Sequence, residues 1–181
     1  MFANKEKAKL LCWHEEGRNK DIMLCHLADC AQGRHIDNTY GWFGDDPRNT
    51  KFALSTDEMN PYENISTSHS TLSILLSIVN LPPWLCNKCK YIILSTLVSR
   101  PKQPGDRIDI FLQPLVEDLH LLWKGVEVRD AVVNKHFTLY AMLMTTISDN
   151  PAHRNLSGQS KRKGQGCSHY LSETCSLWLQ N

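Results

Sequence analysis

The sequence lacks the features of membrane-spanning and secreted chains. Its longest apolar runs, such as Leu72–Leu81 and Tyr91–Val98, fall far short of the roughly 20 residues that a membrane helix needs. The first residues, MFANKEKAKLLCWHEEG, begin with charges and contain no apolar stretch with a small-residue cleavage site, as a secretory signal would. We therefore expect an intracellular protein without a membrane span.

A basic excess is also missing. The 20 Lys and Arg residues against 19 Asp and Glu give a formal net charge of +1, whereas tight binding to nucleic-acid phosphates usually requires a clear positive excess. Any contact with DNA must therefore come from a local patch. The run Lys161–Lys163, with Arg154 nearby, is one candidate, but such a run is more often a solvated surface.

Cysteine and histidine patterns give little support to a metal or redox centre. Seven cysteines are an odd number with irregular spacing, which argues against a disulfide framework. Cys86 and Cys89 form one CxxC pair, the shape of half a zinc knuckle or of a redox pair, but incidental occurrence is favoured for a single pair. No two of the eight histidines have HExxH spacing, so surface or packing roles are predicted. Zinc is not expected.

The composition is that of a globular domain, since 41% of the 181 residues are hydrophobic and 22% are charged. Apolar residues at helical spacing predict a helix over Lys5–Cys30, broken at Gly17. Turn-forming residues predict a loop over Gly33–Thr50. Residues 1–50 are thus interpreted as an N-terminal helical extension and loop.

Three β-rich runs follow with short links between them. They are Lys51–Thr56, Leu72–Asn80 and Tyr91–Ser99, and their order predicts an antiparallel meander. The paired prolines Pro82 and Pro83 predict an extended connection between the second and third runs.

An amphipathic helix comes next, with Asp106 as its predicted N-cap and Gly125 as its stop. Two further strands are predicted over Val126–Val133 and His136–Ile147. Three antiparallel strands, a helix and a further strand are the order of an α/β ribonuclease H-like fold. In that mixed sheet, the later strand lies parallel to the first and next to it.

Two aspartates follow strands that this fold places side by side. Asp57 comes after the first strand and Asp149 after the last. Carboxylates at such an edge can hold the two divalent ions of metal-dependent phosphoryl transfer, and hard oxygen ligands select Mg²⁺ or Mn²⁺. From position alone, however, an aspartate at a strand end is more often a turn former or a helix cap.

Several stretches together carry a family resemblance. They are MFANKEKAKLLCWHEEGRNKD, DDPRNTKFALSTDEMNPYENISTSHS, NLPPWLCNKCKYIILSTLVSRPKQPGDRIDIFLQPLVEDLHLLWKGVEV and TTISDNPAHRNLSG. In this order and with nearly ungapped spacing, they resemble the plant CACTA-type (En/Spm) DNA transposases from Met1 to about Gly158. The NLPPWLC block and the PGxxID block are the most specific.

The resemblance implies a site, a reaction and partners. Asp57 in STDEMNP matches the family's first catalytic aspartate, and we place the second at Asp149 in TISDNPAHRNLSG. Each is expected to bind Mg²⁺ or Mn²⁺ rather than to act as a nucleophile. The implied activity is DNA cleavage and strand transfer in the nucleus, with transposon-end DNA and other transposase subunits as partners.

The chain also departs from the family pattern. Glu58 stands where the family has glycine, and Cys167 is the only matching cysteine of a family zinc-type pair. The third acidic residue of the family triad lies downstream of Asn181. We therefore predict a truncated core over residues 51–158 with a degenerate tail over 159–181, inactive alone. The alternative is a non-catalytic DNA-binding or protein-binding remnant of the scaffold.

Overall fold

The computed structural model describes residues 1–17, 26–59, 70–100 and 108–148. These residues form a mixed α/β fold, as the sequence predicts, with helices and a four-stranded mixed sheet. The predicted N-cap Asp106, the predicted ligand Asp149 and the basic run near the C-terminus all lie outside the described residues.

The elements are numbered in chain order. The helices are α1 Lys5–Leu11, α2 Trp13–Glu16, α3 Ala31–Thr39, α4 Gly41–Gly44, α5 Pro83–Cys86 and α6 Ile108–Lys124. The strands are β1 Thr50–Met59, β2 Ser70–Ile78, β3 Ile92–Arg100, β4 Val126–Asp130, β5 Lys135–Leu139 and β6 Ala141–Ser148. Short 3₁₀ turns occupy Leu27–Asp29 and Cys89–Tyr91.

The main sheet has the strand order β3-β2-β1-β6. β1 pairs with β2 and β2 with β3, both antiparallel, which confirms the predicted meander. β6 pairs with β1 in parallel, which confirms that a strand after the long helix returns beside the first strand. β4 and β5 form a separate antiparallel hairpin between α6 and β6.

The predicted single strand over His136–Ile147 was wrong, because the chain changes sheets at Tyr140. The Tyr140 N–H donates to Asn49 Oδ1 at 3.1 Å, and the Tyr140 carbonyl accepts from the Thr50 N–H at 2.9 Å. Both main-chain groups therefore bond to the segment leading into β1 rather than to the β4 partner. The residues before Tyr140 belong to the hairpin, and those after it belong to the main sheet.

The helices of the N-terminal half do not all lie where the sequence predicts them. The predicted helix over Lys5–Cys30 was wrong in its last part, since His26 and Cys30 are extended on either side of a short 3₁₀ turn. The break at Gly17 is confirmed, since α2 ends at Glu16 with Gly17 as its C-cap. The predicted loop over Gly33–Thr50 was wrong in its first part, which forms α3 and α4. Local sequence hides α3 because its one large buried side chain, Ile36, is stabilised by tertiary packing in a small cluster. That cluster contains Ile36, Ala53, Val79 and Met144.

The main hydrophobic core lies on the other side of the sheet. Its buried members come from the N-terminus, the sheet and α6, and include Phe2, Leu11, Phe52, Leu54, Ile74, Leu81, Ile108, Leu115 and Ala141. Leu11 and Ile74 are fully buried, with 0% exposure. Burial of apolar surface is the main driving force here, so the N-terminal helix α1 and the sheet are stabilised by the same core.

Two connections end or begin elements in different ways. Gly125 stops α6 as predicted, with a φ of +97° in the left-handed region that favours glycine. The prediction for Pro82 and Pro83 was wrong in part. Pro82 is extended, but Pro83 begins α5, because a proline at the first helical position has no N–H to leave unpaired.

Two buried asparagines join the start of β1 to its surroundings. Asn80 Oδ1 accepts from the Lys51 N–H and Asn80 Nδ2 donates to the Asn49 carbonyl, each at 2.8 Å. Asn49 Nδ2 in turn donates to the Phe43 carbonyl at 2.9 Å. The buried Lys51 ammonium forms an ion pair with Asp37 of α3. These contacts fix α3 and α4 against the sheet.

Candidate active site

Asp57 lies on β1, a central strand of the main sheet. The predicted strand end at Thr56 was wrong, since β1 continues to Met59. The reason is the partner strand: Asp57, Glu58 and Met59 pair with Ser73, Leu72 and Thr71 of β2, so ladder hydrogen bonding extends the strand through its acidic residues.

The Asp57 side chain is exposed to solvent. No described side chain forms a hydrogen bond or an ion pair with its carboxylate. The contact at this position is to the main chain, where the Ser73 hydroxyl donates to the Asp57 carbonyl oxygen at 3.2 Å. Ser73 is almost fully buried, at 7% exposure, so it fixes the strand while the carboxylate remains accessible.

Sequence reasoning missed Ser73. Its role depends on the register that places it opposite Asp57, and period-2 alternation in β2 gives no sign of which strand lies alongside. A serine within an apolar strand is the only local signal.

Thr56, the residue before Asp57, has the opposite environment. Its side chain is buried, with 5% exposure, and its Oγ1 has no hydrogen-bond partner among the described residues. A buried hydroxyl without a partner costs about 1–3 kcal/mol. The end of β1 therefore contains a buried hydroxyl without a described partner, directly beside the predicted ligand.

The neighbouring strand β6 reaches Ser148 at the same level of the sheet. In the parallel register, Thr56 pairs with Ser148. These two residues immediately precede Asp57 and Asp149 in the sequence. Asp149 itself lies outside the described residues, so the structure places one of the two predicted ligands.

The donor chemistry of Asp57 fits a hard divalent cation, because an exposed carboxylate supplies the oxygen ligand that Mg²⁺ and Mn²⁺ prefer. One carboxylate is not a site, however. Within the described ranges, no group of three or more His, Cys, Asp and Glu side chains is placed to hold a metal ion. Any complete site at this edge thus needs ligands from the rest of the chain.

Cys86 and Cys89 lie in the connection between β2 and β3. The Cys86 thiol donates to the Leu81 carbonyl, with Sγ and the carbonyl oxygen 3.0 Å apart. Burial raises the pKa of the Cys86 thiol, which disfavours the thiolate that binds metals and attacks disulfides. Cys89 is exposed. Nothing in this geometry favours zinc or redox chemistry at the pair.

Two histidines have the packing roles that the sequence predicts. His14 Nδ1 lies 3.1 Å from the Leu11 carbonyl. His26 Nε2 lies 3.0 Å from the Leu81 carbonyl, while its Nδ1 accepts from the Ala28 N–H at 3.1 Å. The His26 ring therefore donates from Nε2 and accepts at Nδ1, and both histidines bond to main-chain groups of the fold.

Fold and site together define a mixed α/β domain, built around a four-stranded sheet with an exposed aspartate on a central strand. Residues 21–181 match the family model described as Transposase family tnp2. The match covers most of the chain, and the chain belongs to this transposase family. No curated protein and no solved structure gives a match.

Membrane insertion through a helix finds no support in the described residues. None of their helices combines the length and the apolar character needed to span a bilayer.

Proposed function

We propose that this chain is catalytic-core sequence of a CACTA-type DNA transposase, with Asp57 and Asp149 as ligands of a divalent metal ion. The observation that carries the proposal is the parallel pairing of β1 with β6 up to Thr56 and Ser148. This is the last pair of the parallel register, and the two aspartates are the next residues in the sequence, which supports a shared site for them.

The strand order supports a ribonuclease H-like architecture as part of this proposal. β1, β2 and β3 form the antiparallel meander, α6 follows, and β6 adds in parallel beside β1. The β4–β5 hairpin is an addition between the helix and that strand. Membership of a transposase family makes DNA the expected substrate.

In the proposed site, Asp57 contributes an oxygen ligand from a strand held by Ser73. A bound divalent metal would supply charge stabilisation at the attacking and leaving oxygens of phosphoryl transfer. Transposon-end DNA, other transposase subunits and a nuclear location belong to the same proposal, and they rest on the family resemblance.

A Mn²⁺ titration followed by calorimetry tests the site. We expect saturable binding by the wild-type chain and its loss in both Asp57→Asn and Asp149→Asn. Asp118→Asn, on the exposed surface of α6, is the matched control and keeps wild-type binding. Equal Mn²⁺ binding by Asp57→Asn and the wild type would sink the assignment of Asp57.

The second candidate is a non-catalytic DNA-binding or protein-binding remnant of the same scaffold. It is favoured by Glu58, a charged side chain where the family pattern has glycine beside the proposed ligand. The titration separates the two functions. A chain that binds DNA but shows no saturable Mn²⁺ binding is the remnant, whereas metal binding that depends on both aspartates supports the catalytic core.

A further inference from the structure

A cavity of about 370 Å³ opens between the N-terminus and the β4–β5 hairpin. Its described lining consists of Ala3, Lys5, Arg129, Ala131 and Asn134. Two cationic side chains thus line this cavity, and no carboxylate is among its described lining residues.

The walls of the cavity are held together by several contacts. The Ala131 N–H donates to the Phe2 carbonyl at 3.0 Å, and the Phe2 and Phe137 rings meet edge to face with centroids 5.1 Å apart. On the inner side of the hairpin, the Arg48 guanidinium lies 3.9 Å from the centroid of the Phe137 ring. Arg48 also pairs with Asp130 at 3.2 Å. The N-terminus and the hairpin are therefore packed against each other at this cavity.

The charged side chains of β4 have different partners. Asp130 is buried and pairs with Arg48, which also pairs with Asp46 at 2.6 Å, so two carboxylates share one guanidinium. Arg129 is exposed, and its Nε and Nη2 donate to Asn134 Oδ1 at 3.2 and 2.6 Å. This pairing holds the guanidinium and leaves Nη1 without a described partner. On the exposed face of β4, Glu127 stands two residues before Arg129, and its Oε1 lies 4.0 Å from His136 Nδ1.

Lysines add to the positive character of this surface. Lys5 is exposed at the first position of α1, and Lys9 lies one helical turn further on the same side. We name the surface formed by Lys5, Arg129 and Asn134 the hairpin patch.

We propose that the hairpin patch contacts the phosphates of the DNA backbone. The inference rests on the proposed function only in taking DNA as the partner. A guanidinium and an ammonium in one open cavity match phosphate oxygens by charge and hydrogen bonding. With a net charge of only +1 over the whole chain, DNA binding requires a local patch of this kind.

The test is binding of a fluorescein-labelled DNA duplex, measured by anisotropy in EDTA at several salt concentrations. The double variant Lys5→Gln/Arg129→Gln removes two charges from the patch. We expect about tenfold weaker binding at low salt and a slope of log K against log salt reduced by about 1–2. Arg129→Lys, which keeps the charge, is expected to retain most of the salt slope.

The control Lys88→Gln/Lys90→Gln removes the same net charge from the exposed connection between β2 and β3. We expect it to bind like the wild type. Equal losses of affinity in the two double variants would overturn the patch and indicate a general charge effect. No loss of affinity in either variant would overturn it too. Absence of duplex binding by the wild-type chain would overturn it as well.

Failure of this inference is separable from failure of the proposed function. The anisotropy assay contains no metal, so it tests the patch without the metal site. Loss of DNA binding in the patch variant, together with no Asp57-dependent Mn²⁺ binding, would keep the patch and reject the metal site. Unchanged DNA binding in the patch variant, together with Asp57-dependent Mn²⁺ binding, would keep the metal site and reject the patch.

Discussion

Thr56 and Asp57 are consecutive residues with opposite environments. The alternation of side chains along β1 buries the Thr56 hydroxyl, which has no described hydrogen-bond partner, and exposes the Asp57 carboxylate. A candidate ligand thus stands beside a buried hydroxyl that lowers the stability of the fold. Residues that cost stability are common near functional sites.

Replacing Thr56 by valine removes the unpaired hydroxyl while keeping a β-branched side chain of similar shape. We expect Thr56→Val to stabilise the fold by about 1 kcal/mol, because the buried polar group no longer lacks a partner. Urea unfolding monitored by circular dichroism measures the change. Ser73→Ala is the contrasting variant and is expected to destabilise, since its hydroxyl bonds to the Asp57 carbonyl. Destabilisation by Thr56→Val would mean that the hydroxyl is satisfied.

Gly125 gives a second prediction at this scale. A Cβ at this position would lie 2.7 Å from Thr138 Cγ2 and 2.8 Å from Tyr140 Cε1, on a backbone with φ of +97°. We expect Gly125→Ala to lower the free energy of unfolding by about 1–3 kcal/mol. Gly41→Ala is the matched control, since nothing lies within 4 Å of its added Cβ. Comparable chemical denaturation midpoints for the two variants would contradict the prediction.

His14 predicts a pH dependence of stability. Burial, the largest cause, lowers the pKa of His14 below its ordinary value. The unfolded chain therefore binds a proton at higher pH than the folded chain does. Stability from this residue is present above the unfolded pKa of about 6.5 and is lost as the pH falls below it.

Urea unfolding of the wild type and of His14→Gln between pH 7.5 and 5.5 checks this dependence. We expect the variant to lose less stability than the wild type over that interval. His35→Gln, at an exposed position on α3, serves as the control and keeps the wild-type slope. A wild-type slope in His14→Gln would assign the pH dependence to other groups.

At the scale of elements, the sequence was informative where patterns are local. The three strands of the meander and the long helix α6 were found because alternation, helical periodicity and Gly125 mark them directly. α3 was missed because its stability comes from packing Ile36 against the sheet. The division at Tyr140 was missed because the apolar pattern continues through it, while the bonds that divide the strand go to Asn49 and Thr50.

The candidate site was predictable only in part for the same reason. Asp57 was selected from a sequence block and remains a prediction, while the parallel neighbour of its strand followed from the order of elements. The strand boundary, the role of Ser73 and the hairpin patch all depend on which segments meet in space. No local pattern in a single sequence shows which distant segments will be in contact.

Asn80 shows how one side chain connects elements. It is 1% exposed and bridges the Lys51 N–H and the Asn49 carbonyl. We expect Asn80→Ala to destabilise by about 2–4 kcal/mol, because two buried main-chain groups lose their partners. Denaturant unfolding measures the loss, with the exposed Asn87→Ala as control. A loss below about 1 kcal/mol would mean that water replaces the amide.

At the scale of the whole molecule, the N-terminal helix and the sheet share one core. The predicted boundary at residue 50 remains a prediction, but Leu11 and Ile74 belong to the same hydrophobic cluster. In this transposase-family chain, one hydrophobic core thus stabilises both α1 and the sheet. A change in α1 should be detected by probes placed in the sheet.

We expect Leu11→Ala to lower the free energy of unfolding by about 2–5 kcal/mol, because it creates a cavity at a position with 0% exposure. Tryptophan fluorescence and circular dichroism should report one coincident transition at a lower denaturant midpoint. Lys9→Ala, exposed on the same helix, is the control. Separate transitions by the two probes would show that the described elements do not unfold as one cooperative unit.

The bond between Asn49 and Tyr140 joins residues 91 positions apart, and it has a consequence for synthesis on the ribosome. β1 emerges early, but its parallel neighbour β6 cannot pair with it until almost a hundred further residues have been translated. Pairings of such high contact order form slowly. During that interval one edge of β1 remains open to other strands, and the nascent chain is most exposed to aggregation and to chaperone binding at this stage.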